Sequence, residues 1–258
     1  MTDDILFSSV DGIARVTFNR PAQRNAFTFA MYERLAEICM QVDADDGIRV
    51  LIFTGAGEKA FAAGTDIAAF ENVRTAEDGL AYEARIDRVL GALERCRVPT
   101  IAAISGACTG GGGAIAACCD LRIGTADMKF GFPIARTLGN CLSISNYARL
   151  FALIGAARTK DLIFTARLIG APEALALGLV GEVLPDHASL MARADELAAT
   201  VAGHAPLTMR ATKEALRRIT ASLSPAGEDL IGLCYASADF REGRSAFLEK
   251  RKPRWTGR

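Results

Sequence analysis

The sequence predicts an α/β fold that becomes α-helical toward its C-terminal end. A strand pattern followed by a turn of small residues and a helical segment occurs twice in succession, beginning at residues 49–54 and 100–104. The run at 49–54, RVLIFT, is continuously apolar, which is typical of a strand covered on both faces. Beyond Pro133 the strand pattern nearly disappears. Together these observations predict one α/β core with a helical C-terminal region.

The first elements are a hairpin and a helix. Residues 5–9 and 13–19 are rich in branched residues and are joined by Asp11-Gly12, a pair that favours a two-residue hairpin turn. A helix over 28–42 is predicted because its apolar residues recur at helical spacing. After the strand at 49–54, the stretch GAGEKAFAAGTDI at 55–67 reads as a turn, and a helix is predicted over 81–96.

The second half is predicted to be mainly helical. Brief strands are expected at 121–124 and 128–132, and one strand-like run at 179–184. The helices are predicted by period-3.6 patterns at 143–153, 156–165, 171–177, 189–202, 205–219, 225–238 and 239–250.

Four consecutive glycines, at residues 110–113, follow the strand at 100–104 and open an apolar run that ends at Asp120. Glycine costs roughly 1 kcal/mol more than alanine in a helix, so something must need the missing side chains. The bare N–H groups at a helix start attract negative charge, either a phosphate or an oxyanion that develops during a reaction. The phosphate patterns GK[ST] and G-x-G-x-x-G are not met. The alternative is a helix packed so closely that only glycine fits.

Composition excludes several classes of function. The 258 residues carry 30 Lys and Arg against 30 Asp and Glu, with no long basic run, so a nucleic-acid partner is not expected. The acidic start and the lack of a long apolar run predict a cytoplasmic protein without a membrane partner. Seven cysteines without a C-x-x-C pair and only two histidines argue against zinc and against a Ser-His-Asp relay. No metal is predicted.

Five stretches of the sequence form a recognisable set: NRPAQRNAF from residue 19, KAFAAGTDI from 59, PTIAAISGACTGGGGAIAACCDLRI from 99, EALALGLVGEVLP from 173 and EGRSAFLEKRKPRWTGR from 242. In order and spacing they resemble the enoyl-CoA hydratase/isomerase, or crotonase, superfamily. The resemblance implies a crotonase-like ββα spiral core over residues 1–200 and a helical C-terminal trimerisation region over 201–258. It also implies an acyl-CoA substrate, no separate cofactor because coenzyme A enters as part of the thioester, and a homotrimer or dimer of trimers.

The resemblance also implies roles for individual residues. The N–H groups of Thr65 and Gly111 are expected to hold the thioester oxygen as it becomes an enolate or oxyanion. Contacts to coenzyme A are expected from Arg24, Ala26, Ala63, Asp66, Ile67 and Lys250, the last from a neighbouring subunit. For Asp66 a helix cap is the competing interpretation, and for Arg24 and Lys250 an ordinary solvated cation.

The sequence departs from the family at two positions. Hydratases that it resembles use two glutamates, at the positions that Ala114 and Ile134 occupy here. Because water addition needs both a base and an acid, efficient hydration is not expected. Asp87 is the leading candidate base, with Glu83 one turn before it on the same helix face, although a solvated Asp87 paired with Arg85 or Arg88 is the competing interpretation. Further candidates follow Ile134, at Arg136, Asn140, Cys141 and Ser143.

Three functions therefore remain open. The first is an acyl-CoA enzyme of this superfamily, a lyase or isomerase that uses an unusual acid/base set. The second is a decarboxylase or thioester hydrolase on the same scaffold, and the third is a non-catalytic acyl-CoA-binding protein. Retention of four glycines, which cost stability, favours the two catalytic readings.

Overall fold

The computed structural model of the protein describes residues 4–71, 73–223 and 225–258. Residues 1–3, which form part of the acidic start noted above, lie outside the described residues. Within the described part, the strands are β1 (Ile5–Val10), β2 (Ile13–Phe18), β3 (Val50–Gly55), β4 (Ala60–Ala63), β5 (Thr100–Ile104), β6 (Ala107–Thr109), β7 (Leu121–Thr125), β8 (Lys129–Gly131), β9 (Ile169–Gly170) and β10 (Glu182–Leu184).

The helices alternate with these strands in the first half and dominate the second. They are α1 (Phe29–Ala44), α2 (Ala76–Arg95), α3 (Gly111–Cys118), α4 (Ile134–Thr137), α5 (Ile144–Thr165), α6 (Ala171–Ala176), α7 (His187–Ala202), α8 (Pro206–Ser222), α9 (Glu228–Tyr235) and α10 (Ala238–Leu248). The predicted α/β class with a helical C-terminal region is confirmed.

The larger sheet has the strand order β1-β2-β3-β5-β7-β10. Its first pair is the predicted hairpin, antiparallel from Ile5↔Phe18 to Val10↔Ile13. Asp11 and Gly12 both take positive φ, at 50° and 78°, as a type I′ turn requires. The other neighbouring strands are parallel.

Both faces of the larger sheet are covered, which explains the continuous apolar run in β3. Leu51 and Phe53 point into the main core, whereas Val50 and Ile52 belong to a second cluster. Helix α7 covers that second face through the buried residues Leu190, Ala194 and Ala198.

The smaller sheet has the order β4-β6-β8-β9 and was not fully predicted from the sequence. Strand β4 lies within the predicted turn at 55–67, and β6 immediately precedes the four glycines. The two strands pair in parallel, with Ala63 opposite Thr109. The turns that leave β4 and β6 therefore emerge side by side.

In the described residues, no helix is both long and apolar enough to cross a bilayer.

Candidate active site

A cavity of about 180 Å³ opens where the turns after β4 and β6 meet helices α1 and α2. Helix α4, the segment before α5 and Phe247 of α10 complete its wall. Most of the lining side chains are apolar. The ionisable side chains among the described lining residues are Tyr32, Tyr82 and Glu83.

Thr65 and Gly111 both line this cavity. Each lies two residues beyond a member of the Ala63↔Thr109 pair, so the spacing of paired strands controls the spacing of the two turns. Gly111 is the first residue of α3, where an N–H has no partner within the helix. Within the described part of the chain, neither amide donates to a backbone or side-chain acceptor.

The four glycines have separate structural reasons. Gly110 has a φ of 52°, and a Cβ on Gly111 would lie 2.1 Å from the Tyr32 hydroxyl oxygen. A Cβ on Gly112 would lie 2.2 Å from the carbonyl oxygen of Ala62, and one on Gly113 would lie 3.0 Å from the ring of Phe132. The close-packing interpretation therefore explains Gly112 and Gly113, whereas Gly111 is at the cavity itself.

Two tyrosines converge on the hydroxyl of Thr65. The Tyr32 hydroxyl lies 2.9 Å from Thr65 Oγ1, and the Tyr82 hydroxyl donates to the same oxygen at 3.3 Å. Burial raises the pKa of both phenols well above the ordinary value, so they remain protonated at neutral pH. These hydroxyls fix the Thr65 side chain beside the N–H groups.

Glu83 is the one carboxyl group among the described lining residues, and it is only 4% exposed. Its Oε1 accepts a hydrogen bond of 2.5 Å from the Tyr235 hydroxyl. The pKa of Glu83 is raised to about 7, chiefly by burial and to a smaller extent by the charge of Asp87, while the hydrogen bonds from the Tyr235 hydroxyl and the Ser143 backbone oppose this rise.

Asp87 is not among the residues that line the cavity. Its Oδ1 accepts a 2.8 Å hydrogen bond from the Ser143 hydroxyl and lies 3.7 Å from Arg149 Nη1. Its suggested partners Arg85 and Arg88 instead bind Glu33. Burial raises the pKa of Asp87, against the opposing effects of Ser143 and Arg149. The assignment of Asp87 as the base stays a prediction.

Ala114 and Ile134, the positions at which the resemblance implies glutamates, both line the cavity. Ile134 begins α4, and Ala114 lies in α3 one turn after Gly110, whose carbonyl accepts the Ala114 N–H at 2.9 Å. Neither side chain can transfer a proton. The wall is therefore apolar at both positions.

The remaining candidates after Ile134 have different surroundings. Asn140 lines the cavity and donates to the Tyr235 hydroxyl at 3.2 Å. Ser143 caps α5 by accepting from the Asn146 N–H, and Arg136 is exposed. The thiol of Cys141 is buried, and the neighbouring Cys234 thiol and burial both raise its pKa, which makes it a poor nucleophile.

Two of the six residues predicted to contact coenzyme A are among the lining residues of the cavity. Ala63 and Ile67 line it. The carbonyl oxygen of Ala26 accepts a 2.6 Å hydrogen bond from Arg20, whose guanidinium also binds Asp66 at 3.0 Å. Asp66 in addition caps the 3₁₀ helix Ile67–Phe70 by accepting from the Ala68 N–H, as its competing interpretation predicted.

Arg24 and Lys250 are both exposed cations. Arg24 follows the 3₁₀ helix Pro21–Gln23 with a φ of 49°, and its carbonyl accepts from the Ala63 N–H at 3.0 Å. Lys250 lies just beyond α10, three residues after the cavity residue Phe247.

Sequence reasoning missed Tyr32, Tyr82 and Tyr235 as polar parts of the site. Each is an aromatic residue on a buried helix face, a pattern that also describes ordinary core packing. A search of the described residues for groups of His, Cys, Asp and Glu able to hold a metal ion finds none.

Comparisons with known proteins identify the family. The family model for enoyl-CoA hydratase/isomerase matches residues 8–258. The chain is 34% identical to a short-chain-enoyl-CoA hydratase of Clostridium acetobutylicum, covering 97% of this chain and 96% of the relative.

Solved structures agree with this result. One similar structure is an enoyl-CoA hydratase/carnithine racemase from Magnetospirillum magneticum, with a TM-score of 0.81, 35% identity and coverage of 100% of this chain and 97% of the other. Another is a methylmalonyl-CoA decarboxylase in complex with 2-nitronate-propionyl-CoA, with a TM-score of 0.90, 26% identity and 99% coverage of each chain. From the family model, the sequence identity and the shared fold together, we conclude that the chain belongs to the enoyl-CoA hydratase/isomerase family.

Proposed function

We propose that this protein binds an acyl-CoA thioester and stabilises its enolate or oxyanion with the N–H groups of Thr65 and Gly111. The observation that carries the proposal is the pair of unpartnered amides, each two residues beyond the paired residues Ala63 and Thr109, at one cavity. The ideal Cβ position on Gly111 is only 3.5 Å from Thr65 N. The two amides are therefore close enough to serve one oxygen atom.

Two preorganised donors suit chemistry in which charge develops on a carbonyl oxygen. Removing one such donor typically costs 10²- to 10³-fold in turnover. The apolar wall strengthens the effect, because hydrogen bonds to a charge are stronger where water is excluded. Loss of a proton from the carbon beside the carbonyl produces this kind of charge.

We further propose that coenzyme A lies along Arg24, Ala26, Ala63, Asp66 and Ile67, with Lys250 contributing its charge from a neighbouring subunit. Exposed Arg24 and Lys250 suit phosphate groups. Ala63 and Ile67 border the cavity and offer an apolar surface to the rest of the coenzyme A moiety.

Addition of water to a double bond is not the reaction that this wall favours. Ala114 and Ile134 provide neither an acid nor a base, and each such group typically contributes 10²- to 10⁴-fold. We therefore expect weak hydration of crotonyl-CoA, which is measured as the loss of its ultraviolet absorbance. Rapid hydration would contradict this part of the proposal.

The oxyanion site is tested by Gly111→Ala. The new methyl group would lie 3.5 Å from Thr65 N and against the Tyr32 hydroxyl, so we expect at least about a 100-fold slower exchange of the α-hydrogens of butyryl-CoA in D₂O. Mass spectrometry of the thioester measures the exchange.

The matched control is Gly232→Ala, where the added Cβ would meet Ala76 at an ordinary 3.7 Å and lies away from the cavity lining. Exchange by this variant should match the unmodified protein. Undiminished exchange by the Gly111→Ala variant would show that the amides do not hold the thioester oxygen.

Decarboxylation is a second candidate because of the similar solved structure described as a methylmalonyl-CoA decarboxylase. Loss of CO₂ from a malonyl-type thioester also produces an enolate, and it needs no base to remove a proton from carbon. Incubation with malonyl-CoA and methylmalonyl-CoA, followed by measurement of released CO₂, tests it. If the unmodified protein releases no more CO₂ than the Gly111→Ala variant, decarboxylation is excluded.

A further inference from the structure

The carboxyl group of Glu83 is placed inside the apolar cavity without a neutralising cation. Its side chain is among the buried polar groups at 4% exposure, and within the described part of the chain no Lys, Arg or His lies within ion-pair distance of it. An isolated buried carboxylate costs several kcal/mol. A position with that cost needs a compensating structural or chemical use.

Tyr235 holds this carboxyl group from the opposite helix. Its ring is fully buried, and its hydroxyl donates to Glu83 Oε1 at 2.5 Å while accepting from Asn140 at 3.2 Å. Helix α9 comes very close to α2 here, since a Cβ on Gly79 would lie 2.4 Å from Tyr235 Cβ. The hydroxyl is therefore fixed in place by packing of the two helices.

The other titratable groups near Glu83 are neutral at physiological pH or acidic. The adjacent Tyr82 lies on the same helix and donates to Thr65 Oγ1 at 3.3 Å, which ties this part of α2 to the proposed oxyanion site. The titratable groups that interact electrostatically with Glu83 are Tyr32 from α1, Tyr82 and Asp87 from α2 itself, Cys141 and Tyr147 from the segment around the start of α5, and Tyr235 from α9.

We propose that Glu83 is the catalytic acid/base of this site and that Tyr235 is its positioning residue. This inference rests on the proposed function, because it assigns the proton transfer that accompanies stabilisation of the thioester oxygen by Thr65 and Gly111. It differs from the family pattern, in which the glutamates occupy the positions of Ala114 and Ile134. It also differs from the sequence-based prediction of Asp87.

The chemical step is a proton transfer and needs no other reactant. Ionised Glu83 takes a proton from the carbon beside the thioester carbonyl, and the electron pair of that C–H bond forms the carbon–carbon double bond of the enolate. The negative charge moves to the oxygen between the two N–H groups. Return of the proton from the Glu83 carboxylic acid to carbon restores a neutral thioester.

The surroundings also define the acyl group. Because no Lys, Arg or His is among the described lining residues, the cavity offers no counter-ion for a charged acyl chain. Its apolar wall includes Ile86, Ile134, Leu138 and Leu142. The proposed substrate class is therefore an uncharged, aliphatic acyl-CoA with a hydrogen on its α-carbon.

The proposal is tested by exchange of α-hydrogen for deuterium in butyryl-CoA dissolved in D₂O, measured by mass spectrometry. Glu83→Gln keeps the size of the side chain and an acceptor for Tyr235, but it cannot take a proton. We expect exchange to fall by 10²- to 10⁴-fold. Glu77→Gln is the matched control, since Glu77 is exposed in the first turn of the same helix and its replacement should leave exchange unchanged.

Tyr235→Phe separates positioning from mere packing. The bond from Tyr235 lowers the pKa of Glu83, so its loss should move the rising limb of the pH–rate profile to higher pH. The unmodified protein should show this limb near pH 7. A purely structural tyrosine would lower the amount of folded protein without moving the limb.

The outcomes distinguish failure of the Glu83 assignment from failure of the proposed function. If Glu83→Gln exchanges α-hydrogen as fast as the unmodified protein, the assignment of Glu83 is wrong and the proposed function stands. If Asp87→Asn abolishes exchange while Glu83→Gln retains it, the base is Asp87. If the unmodified protein exchanges no α-hydrogen while Gly111→Ala gives the same result, both the proposed function and this inference are wrong.

Discussion

At the residue scale, the burial of Glu83 has a consequence for stability as well as for proton transfer. Burial raises its pKa from the ordinary value of 4.5 to about 7, so the folded state binds its proton more tightly than the unfolded state does. The associated stability is complete below about pH 4.5 and is lost as the pH rises through about 7. The loss amounts to about 3 kcal/mol.

We therefore expect Glu83→Gln to be more stable than the unmodified protein at pH 8, with a much smaller difference at pH 5. Thermal unfolding at the two pH values measures this. Glu77→Gln is the control, because hydrogen bonds from the backbone lower the pKa of Glu77, a shift opposite in sign to that of Glu83. Replacing Glu77 should therefore not add stability as the pH rises. Equal gains for Glu83→Gln at both pH values would contradict the pKa shift.

The distinction between Glu83 and Asp87 could not be made from sequence. Both lie on one face of α2, one turn apart, and both are acidic residues within a helical pattern. What separates them is the partner that each meets in three dimensions. Asp87 meets the Ser143 hydroxyl and Arg149, whereas Glu83 meets the cavity, the Tyr235 hydroxyl and the Ser143 backbone. None of these contacts is encoded in the spacing along the chain.

At the element scale, the contact between α2 and α9 depends on a glycine. A Cβ on Gly79 would lie 2.4 Å from Cβ of Tyr235, whose ring is rigidly packed. Overpacking of this kind typically costs 1–3 kcal/mol. We expect Gly79→Ala to lower the free energy of unfolding by about 2 kcal/mol, as measured by urea denaturation.

Gly232→Ala is the control for that contact, because it lies on α9 and faces Ala76 of α2 with a Cβ distance of 3.7 Å. With room for the methyl group, the better helix propensity of alanine should leave stability unchanged or raise it by up to about 1 kcal/mol. Similar losses for both variants would mean that the two helices do not approach most closely at Gly79.

Long periodic elements were predictable, and short strands between small residues were not. The predicted segments match the structure within a few residues for the hairpin, for β5 and for the helices from α5 to α10. The break between the predicted helices 143–153 and 156–165 corresponds to Gly155, which has a φ of 73° inside α5. Strands β4 and β6 contain mainly alanine, with one Phe, Cys and Thr. They form because they pair with each other, which is a tertiary effect that overrides weak β propensity.

At the scale of the whole molecule, α8 leaves three large apolar side chains exposed, although its Met209 packs against the second core cluster. None of its residues is buried, and Leu207, Leu216 and Ile219 are 75%, 59% and 61% exposed. Exposed apolar surface is typical of sites that contact another protein. The resemblance-based expectation of a trimer, and of residues 201–258 as its contact region, stays a prediction that this surface supports.

We expect Ile219→Asp to shift the protein toward smaller assemblies, since the interface would have to bury an unpaired charge. Light scattering coupled to size-exclusion chromatography measures the mass. Ala221→Asp adds the same charge to an exposed position on the opposite face of α8 and should leave the mass unchanged. An identical mass for both variants would place the subunit contact elsewhere.

The parallel pairing of Ala63 with Thr109 separates two tasks within the molecule. The amides of residues 65 and 111 belong to the polypeptide backbone, so point mutations can rewrite nearly every surrounding side chain and leave their spacing intact. The proposed acid/base, in contrast, is a side chain, so single amino-acid exchanges can place such a group on a different helix around the same pair of amides. On the proposed function, a lineage with this architecture could thus acquire a new reaction by single amino-acid exchanges, whereas a one-residue insertion in either turn would abolish every reaction that uses the two amides.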